Sequence, residues 1–217
     1  MSIGEPMETE HTVLPGFYVL EGIDGSGTTT QLNNLKRLAD DTGIQVHVTC
    51  EPTVSPIGKT IRRILKGDYP VSQESMARLF SADRCDHLDN ADHGIKKYLS
   101  DGIKVISDRY LFSSLVYQSL GFPLDAVKAL NNFPLPEVLF FIDIPPDVGI
   151  QRRNGRSIEE IYERHHLQQS IYERYHEVLS AYADSGMRTE RIDGTKPMEE
   201  ISDMIWRTIA NMPKNKR

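Results

Sequence analysis

Gly22-Ile23-Asp24-Gly25-Ser26-Gly27-Thr28-Thr29 is the stretch on which the reading of this chain turns. It fits G-x-x-x-x-G-K-[ST] at every fixed position except the Lys, where Thr28 stands. The β-prone run Phe17-Tyr18-Val19-Leu20-Glu21 precedes it, and Leu32, Leu35 and Leu38 follow at helical spacing, so the segment reads as strand, glycine turn and helix. The glycines let the backbone approach an anion closely, and N–H groups at a helix N-terminus converge on phosphate oxygens. Gly22, Ile23, Asp24, Gly25, Ser26, Gly27, Thr28, Thr29 and Thr30 are therefore the candidate phosphate-binding residues. In the full motif the Lys reaches the β- and γ-phosphates and the following hydroxyl holds magnesium. Thr29 supplies the hydroxyl; Thr28 brings no charge.

Outward from this loop, apolar strand-like runs recur at Val46-His47-Val48, Ile103 to Ile106, Val138 to Ile142 and Arg191-Ile192, with helical patterns between them. That alternation predicts an α/β fold, a parallel sheet wrapped by helices. Ile57, Ile61, Ile64 and Leu65 mark one helix face, and Ile201, Met204, Ile205 and Ile209 another. Long helices are expected over about residues 73–100 and 159–183. Ligands of open parallel sheets sit beyond the carboxyl ends of the strands, where the glycine loop, Glu51 and Asp108-Arg109 all fall.

Composition narrows the partners. The 217 residues suffice for one domain, expected over 16–212, with residues 1–15 a loose extension and 213–217 a basic tail. A net charge of −6 argues against a broad nucleic-acid surface, although a small anion needs only a local positive pocket. The two cysteines, Cys50 and Cys85, lack metal-ligand spacing and read as reduced thiols. No apolar run reaches membrane-spanning length and no signal peptide is evident, so a cytoplasmic location without membrane contact is expected. His87, His93 and the pair His165-His166 read as solvent-facing histidines rather than metal ligands.

Two further constellations carry chemistry. Asp108, at a strand's carboxyl end beside the loop, is placed to hold magnesium together with Thr29, and Arg109 offers a planar fork to phosphate. In Arg78-Leu79-Phe80-Ser81-Ala82-Asp83-Arg84 the four-residue spacing puts Phe80 and Arg84 on one helix face, a ring for a base and a guanidinium for a polar group.

Taken together, these stretches make the chain resemble the thymidylate kinases of the P-loop nucleoside-monophosphate kinase superfamily. Glu21 to Gly27 with Gln31, Glu51-Pro52 with Pro56-Ile57-Gly58, Leu79 to Arg84, Asp108-Arg109-Tyr110 with Ser113-Ser114 and Tyr117-Gln118, and Asp143 to Arg153 carry the likeness. It spans about residues 17–197. The resemblance implies a three-layer α/β/α domain with a five-stranded parallel sheet and a helical lid at about 152–163. It implies γ-phosphoryl transfer from ATP, with Mg2+, to dTMP, giving dTDP and ADP, and a homodimer packed through the long helices.

The resemblance also assigns roles. Phe80 would stack on the pyrimidine, Arg84 would bind its edge or the nearby phosphate, and Glu51 belongs to the same acceptor site. Ser113, Ser114, Tyr117 and Gln118 would line base and sugar, Tyr117 excluding a ribose 2′-hydroxyl. Arg109 would bind the acceptor phosphate, positioned by Asp24. Arg153 and Arg156, with Arg152, would bring charge from the lid, and Thr195 and Lys196 would border the adenine. The chain departs from the pattern at Thr28, at Cys50, where the family usually has Arg, at Thr53-Val54 in place of Gly-Gly, and in the acidic lid Glu159-Glu160-Ile161-Tyr162-Glu163. Two other readings stay open: a nucleotide-binding regulatory protein without catalysis, and a kinase for another nucleoside monophosphate or a deoxynucleoside.

Overall fold

The computed structural model describes residues 11–153 and 167–212. Five strands form one sheet: β1 (Val13–Glu21), β2 (Val46–Cys50), β3 (Lys104–Asp108), β4 (Leu135–Asp143) and β5 (Arg188–Asp193). All pairings are parallel and the order is β2-β3-β1-β4-β5. Among the described residues the helices are α1 (Thr28–Thr42), α2 (Pro56–Leu65), α3 (Gln73–Asp89), α4 (Ile95–Ser100), α5 (Leu111–Tyr117), α6 (Leu124–Leu130), α7 (Pro146–Arg153), α8 (Gln168–Ala181) and α9 (Met198–Asn211).

The period-two pattern of β1 builds the layers. Phe17 and Val19 face one side, with Val105, Leu139 and Phe141 of neighbouring strands and Leu115, Ile171 and Tyr175 of α5 and α8. Tyr18 and Leu20 face the other, with Ile106, Phe140, the Leu32 and Leu35 stripe of α1, and Ile205 and Ile209 of α9. The expected helix-sheet-helix sandwich results, and each fully buried Leu, Ile or Phe in it contributes about 1.5–3 kcal/mol. A smaller cluster of Ile61, Ile64, Leu65 and Met76 joins α2 to α3, with Phe80 packed against it.

Helix ends follow their sequence signals. Ser55 caps α2 by accepting from the Gly58 N–H, with Pro56 in the first turn, and Ser72 caps α3 by accepting from the Ser75 N–H. Gly43 closes α1 in the left-handed conformation, its N–H bonded to the carbonyls of Ala39 and Asp40.

Two expectations change, and a third falls largely outside the described residues. The helix expected over 73–100 is two helices, because the Asn90 side chain accepts the N–H groups of Asp92 and His93 and so diverts the backbone into a turn. The expected extension over 1–15 ends earlier than read: β1 begins at Val13, paired with Leu135, and a register shift between Leu14 and Tyr18 absorbs Pro15 and Gly16. Gly16, at φ 81°, gives its N–H to Glu137 Oε2 at 2.6 Å. The helix expected over 159–183 is seen as α8 from Gln168; its first part, most of the lid at 152–163 and the tail at 213–217 lie outside the described residues.

Candidate active site

The carboxyl ends of β1, β2 and β3 place the glycine loop, Glu51 and Asp108-Arg109 side by side. The loop turns at Gly25 (φ 89°) and Gly27 (φ 98°), conformations that L side chains rarely adopt. A Cβ on Gly25 would also lie 2.4 Å from the Gly149 carbonyl of α7, so the loop is locked against that helix. No side chain caps α1, which leaves its first N–H groups to a ligand. A cavity of about 570 Å³ opens above them, lined by Asp24 to Gln31 together with Arg109, Arg152, Gly194 and Lys196.

A second cavity, of about 310 Å³, lies on the other side of Arg109. Phe80, Arg84, Glu51, Ser113, Tyr117 and Gln118 line it, and Asp24, Thr29 and Arg109 line both cavities. Arg109 is therefore the guanidinium at the junction of the two spaces.

Its placement is heavily determined. The backbone stands at φ 71°, an unfavourable conformation for a non-glycine residue, and the N–H donates to the Leu20 carbonyl at 2.9 Å. Nη2 donates to Asp24 at 2.6 Å, while Nη1 donates to the Gly22 carbonyl (3.0 Å), Ser113 Oγ (3.1 Å) and Tyr175 Oη (3.0 Å). Burial opposes the charge, but Tyr117, Tyr175, Asp24 and Glu21 outweigh it and hold the guanidinium well above the usual arginine range. Beneath lies Glu21, fully buried, accepting from the N–H groups of Tyr110 and Ser113 and from the hydroxyls of Ser113 and Tyr175. Burial pushes its carboxyl up against the pull of Arg109 and these donors.

Arg84 is 1% exposed. Nε and Nη2 donate to Glu51 Oε2 at 2.9 and 2.6 Å, Nη2 also to Ser114 Oγ at 3.0 Å, and Nη1 to Asn131 Oδ1. Four of the five N–H groups of a guanidinium are thus committed within the protein, which suits one carbonyl on a base edge and not a phosphate fork. Ser114 consequently stands behind Arg84 rather than in the cavity wall. Burial works to raise the Glu51 carboxyl, but Arg84 and His87 hold it below the ordinary carboxylate value.

The residues expected at magnesium also meet. Thr29 Oγ1 donates to Asp108 Oδ2 at 2.5 Å, and Asp108 Oδ1 is buried with no hydrogen-bond partner among the described residues. An orphaned carboxylate oxygen beside a loop hydroxyl is the donor set a hard, oxygen-seeking cation requires. Among the described residues no group of three or more His, Cys, Asp and Glu side chains could hold a metal ion.

Other expected residues are placed less directly. Ile23 is buried core, supporting the loop from below, and Gly22 contributes its carbonyl to Arg109. Lys196 reaches the cavity above the glycine loop while ion-paired to Glu200; Thr195 donates its N–H and hydroxyl to Asp193 and shapes the turn. Arg153 closes α7 and donates from Nε to the Gly149 carbonyl at 3.3 Å, whereas Arg156 lies outside the described residues. Arg152 donates to the Gly194 carbonyl at 2.9 Å in the wall of the cavity above the glycine loop.

Sequence reading missed several participants as site residues. Tyr175 comes from α8, some 66 positions from Arg109, with no motif to mark it. Asn131 likewise joins from beyond α6. Glu21, a lone acid ending an apolar strand, was the one with a visible signal. Arg62 of α2 lines the second cavity and donates to Cys50 Sγ (3.4 Å) and to the Pro52 carbonyl, bringing a guanidinium to the wall at Cys50. His87, expected to face solvent, is buried between Glu51 and Thr49, since the β2 edge closes over that face of α3.

The thymidylate kinase family model matches residues 20–205. A Treponema pallidum protein named for thymidylate kinase is 37% identical over 197 residues, covering 89% of this chain and 94% of its own. A Thermococcus kodakarensis protein named likewise is 37% identical over 207 residues, covering 90% and 98%. The thymidylate kinase of Carboxydothermus hydrogenoformans is 36% identical over 193 residues, covering 85% and 92%. A match over most of the length, on a fold whose strand ends assemble the donor loop, the Asp-Arg pair and the Phe80/Arg84 cavity, places the chain in the thymidylate kinase family.

Proposed function

We propose that the protein transfers the γ-phosphoryl group of ATP to dTMP, giving dTDP and ADP, in the supply of dTTP. The observation that carries this reading is the sharing of Asp24, Thr29 and Arg109 by two adjoining cavities, one on the glycine loop and one beneath Phe80. Two nucleotides held there would meet phosphate to phosphate across Arg109, and phosphoryl transfer depends chiefly on such positioning and on charge neutralisation.

In the donor cavity the loop N–H groups would hold the ATP phosphates, with Arg152, Thr195 and Lys196 toward the adenine. In the acceptor cavity Phe80 would stack on the pyrimidine, the remaining Arg84 N–H would meet a base carbonyl, and Tyr117 with Gln118 would border the sugar. Mg2+ would be held by Thr29 and, through water, by Asp108, and would neutralise charge on the β- and γ-phosphates. Arg109 would draw the acceptor phosphate into line, Asp24 fixing its fork. The charge missing at Thr28 is worth on the order of 3 kcal/mol in such a site, about a hundredfold in rate, unless lid arginines 153 and 156 replace it.

The family likeness extends the proposal to a homodimer in the cytoplasm; no helix among the described residues is long and apolar enough to cross a membrane. Turnover of ATP with dTMP, dUMP, dCMP and the ribose analogue of dTMP tests the reading. Preference for dTMP by about tenfold or more in kcat/KM supports it. Equal use of the ribose analogue removes the role given to Tyr117, and no dTDP at all removes the function.

A further inference from the structure

Glu51 holds Arg84 in an unusual way. A carboxylate facing a guanidinium ordinarily takes one N–H on each oxygen, in parallel. Here both Arg84 contacts fall on Oε2, Nε at 2.9 Å and Nη2 at 2.6 Å. The reason is that Oε1 is already taken: His87 Nδ1 lies 3.0 Å from it. On its far side His87 Nε2 lies 2.7 Å from Thr49 Oγ1. All four side chains sit at the junction of β2 with α3, and Glu51, Arg84 and His87 are each less than a tenth exposed.

The direction of these bonds follows from elementary chemistry. Glu51, held below the ordinary carboxylate value, is ionised and only accepts, so the proton between the two groups belongs to Nδ1. At the far side Nε2 meets the Thr49 hydroxyl, which can serve it as donor or acceptor. The ionised Glu51 thus fixes the proton on Nδ1, Thr49 holds the ring at its far nitrogen, and the occupied Oε1 turns Oε2 alone toward Arg84.

We infer that His87, oriented by Thr49, is a positioning residue for acceptor recognition: it sets the rotation of the Glu51 carboxylate and through it the pose of the Arg84 fork beside Phe80. His87 does not line the acceptor cavity, whereas Glu51, Arg84 and Phe80 do. Without the imidazole, Glu51 is free to rotate into parallel two-oxygen pairing, which swings the guanidinium relative to Ser114 and Asn131 and misdirects the one N–H left for the base. The inference rests on the dTMP kinase reading and concerns binding of the base, not transfer.

The test begins with the unmodified chain, whose turnover of dTMP stands or falls independently of His87. Against that reference, His87→Phe keeps an aromatic ring of similar size but no donor. Its KM for dTMP should rise about tenfold while kcat and the KM for ATP stay within about twofold. His87→Asn, with an amide donor at the Nδ1 position, should recover most of that loss. If His87→Phe does not fold, Thr49→Val reads the same chain from its far end, with an expected rise in dTMP KM of about threefold. An active parent whose His87→Phe variant, or in its place Thr49→Val, keeps the dTMP KM overturns the inference. So does a variant losing kcat and the KM for ATP in equal measure, the sign of general structural damage.

Discussion

Replacing Tyr175 by Phe removes one oxygen from beneath the active site and changes no volume. The ring of Tyr175 packs against Phe141 at 5.3 Å and edge-on to Tyr117 at 6.1 Å, contacts a phenylalanine keeps. The hydroxyl donates to Glu21 Oε2 at 2.9 Å and accepts from Arg109 Nη1 at 3.0 Å. Arg109 Nη1 retains the Gly22 carbonyl and Ser113 Oγ, so the guanidinium stays paired but loses its anchor from α8. Glu21 is fully buried and falls from four donors to three, and a hydrogen bond to such a charged group is worth about 1.5–3 kcal/mol. Tyr175→Phe should therefore lose about 2 kcal/mol in urea unfolding at unchanged slope, equivalent to a thermal midpoint lower by roughly 4–8 °C for a chain of this size. Because the same hydroxyl steadies Arg109 between the cavities, kcat/KM for dTMP should fall about tenfold, or about 1.4 kcal/mol. A variant with stability within about 0.5 kcal/mol of the parent and kcat/KM within about twofold would refute the role given to this hydroxyl.

Further outcomes follow from the same geometry. Gly25→Ala combines a φ of 89° with a Cβ 2.4 Å from the Gly149 carbonyl, so ATP binding measured by calorimetry should weaken at least about tenfold while dTMP binding changes far less. Glu51 has a folded value below its unfolded one, so its stabilisation is present above the ordinary carboxyl value near about 4.3 and is lost as pH falls through the folded value. The stability difference between the parent and Glu51→Gln should accordingly be largest near neutrality and shrink below about pH 4; a constant difference would contradict the ionised pairing. Burial pushes the Cys50 thiol up despite the Arg62 guanidinium, and Cys85 is exposed. Iodoacetamide at pH 8 should label Cys85 first, as read by peptide mass, and dTMP should slow Cys50 further.

The legible parts of the molecule were those where one residue type has one job. Glycines at fixed spacing after a strand announced the loop, and the alternation of apolar runs with helical faces announced the parallel sheet. Asp108 and Arg109 were legible because they end a strand beside that loop. What escaped were contacts made by tertiary convergence. Tyr175 and Asn131 reach the site from distant helices and look in sequence like any surface or core residue. His87 carries the same spacing a solvent-facing histidine would, and only the closure of β2 over α3 buries it. The break at Asn90 and the bulge at Pro15-Gly16 were local contests. In one a side chain offered the backbone an alternative to the helix, and in the other an irregular register kept a strand alive through residues that usually end one.

A phosphate loop without its lysine, flanked by Arg109, is expected to support transfer from ATP to dTMP. Single-turnover formation of dTDP by the unmodified full chain, with Mg2+ and saturating substrates, run beside Thr28→Lys, tests it most directly. The account predicts dTDP from the unmodified chain, and a rate in Thr28→Lys raised by up to about a hundredfold. No dTDP from the unmodified chain, with strong turnover appearing only in Thr28→Lys, would contradict it.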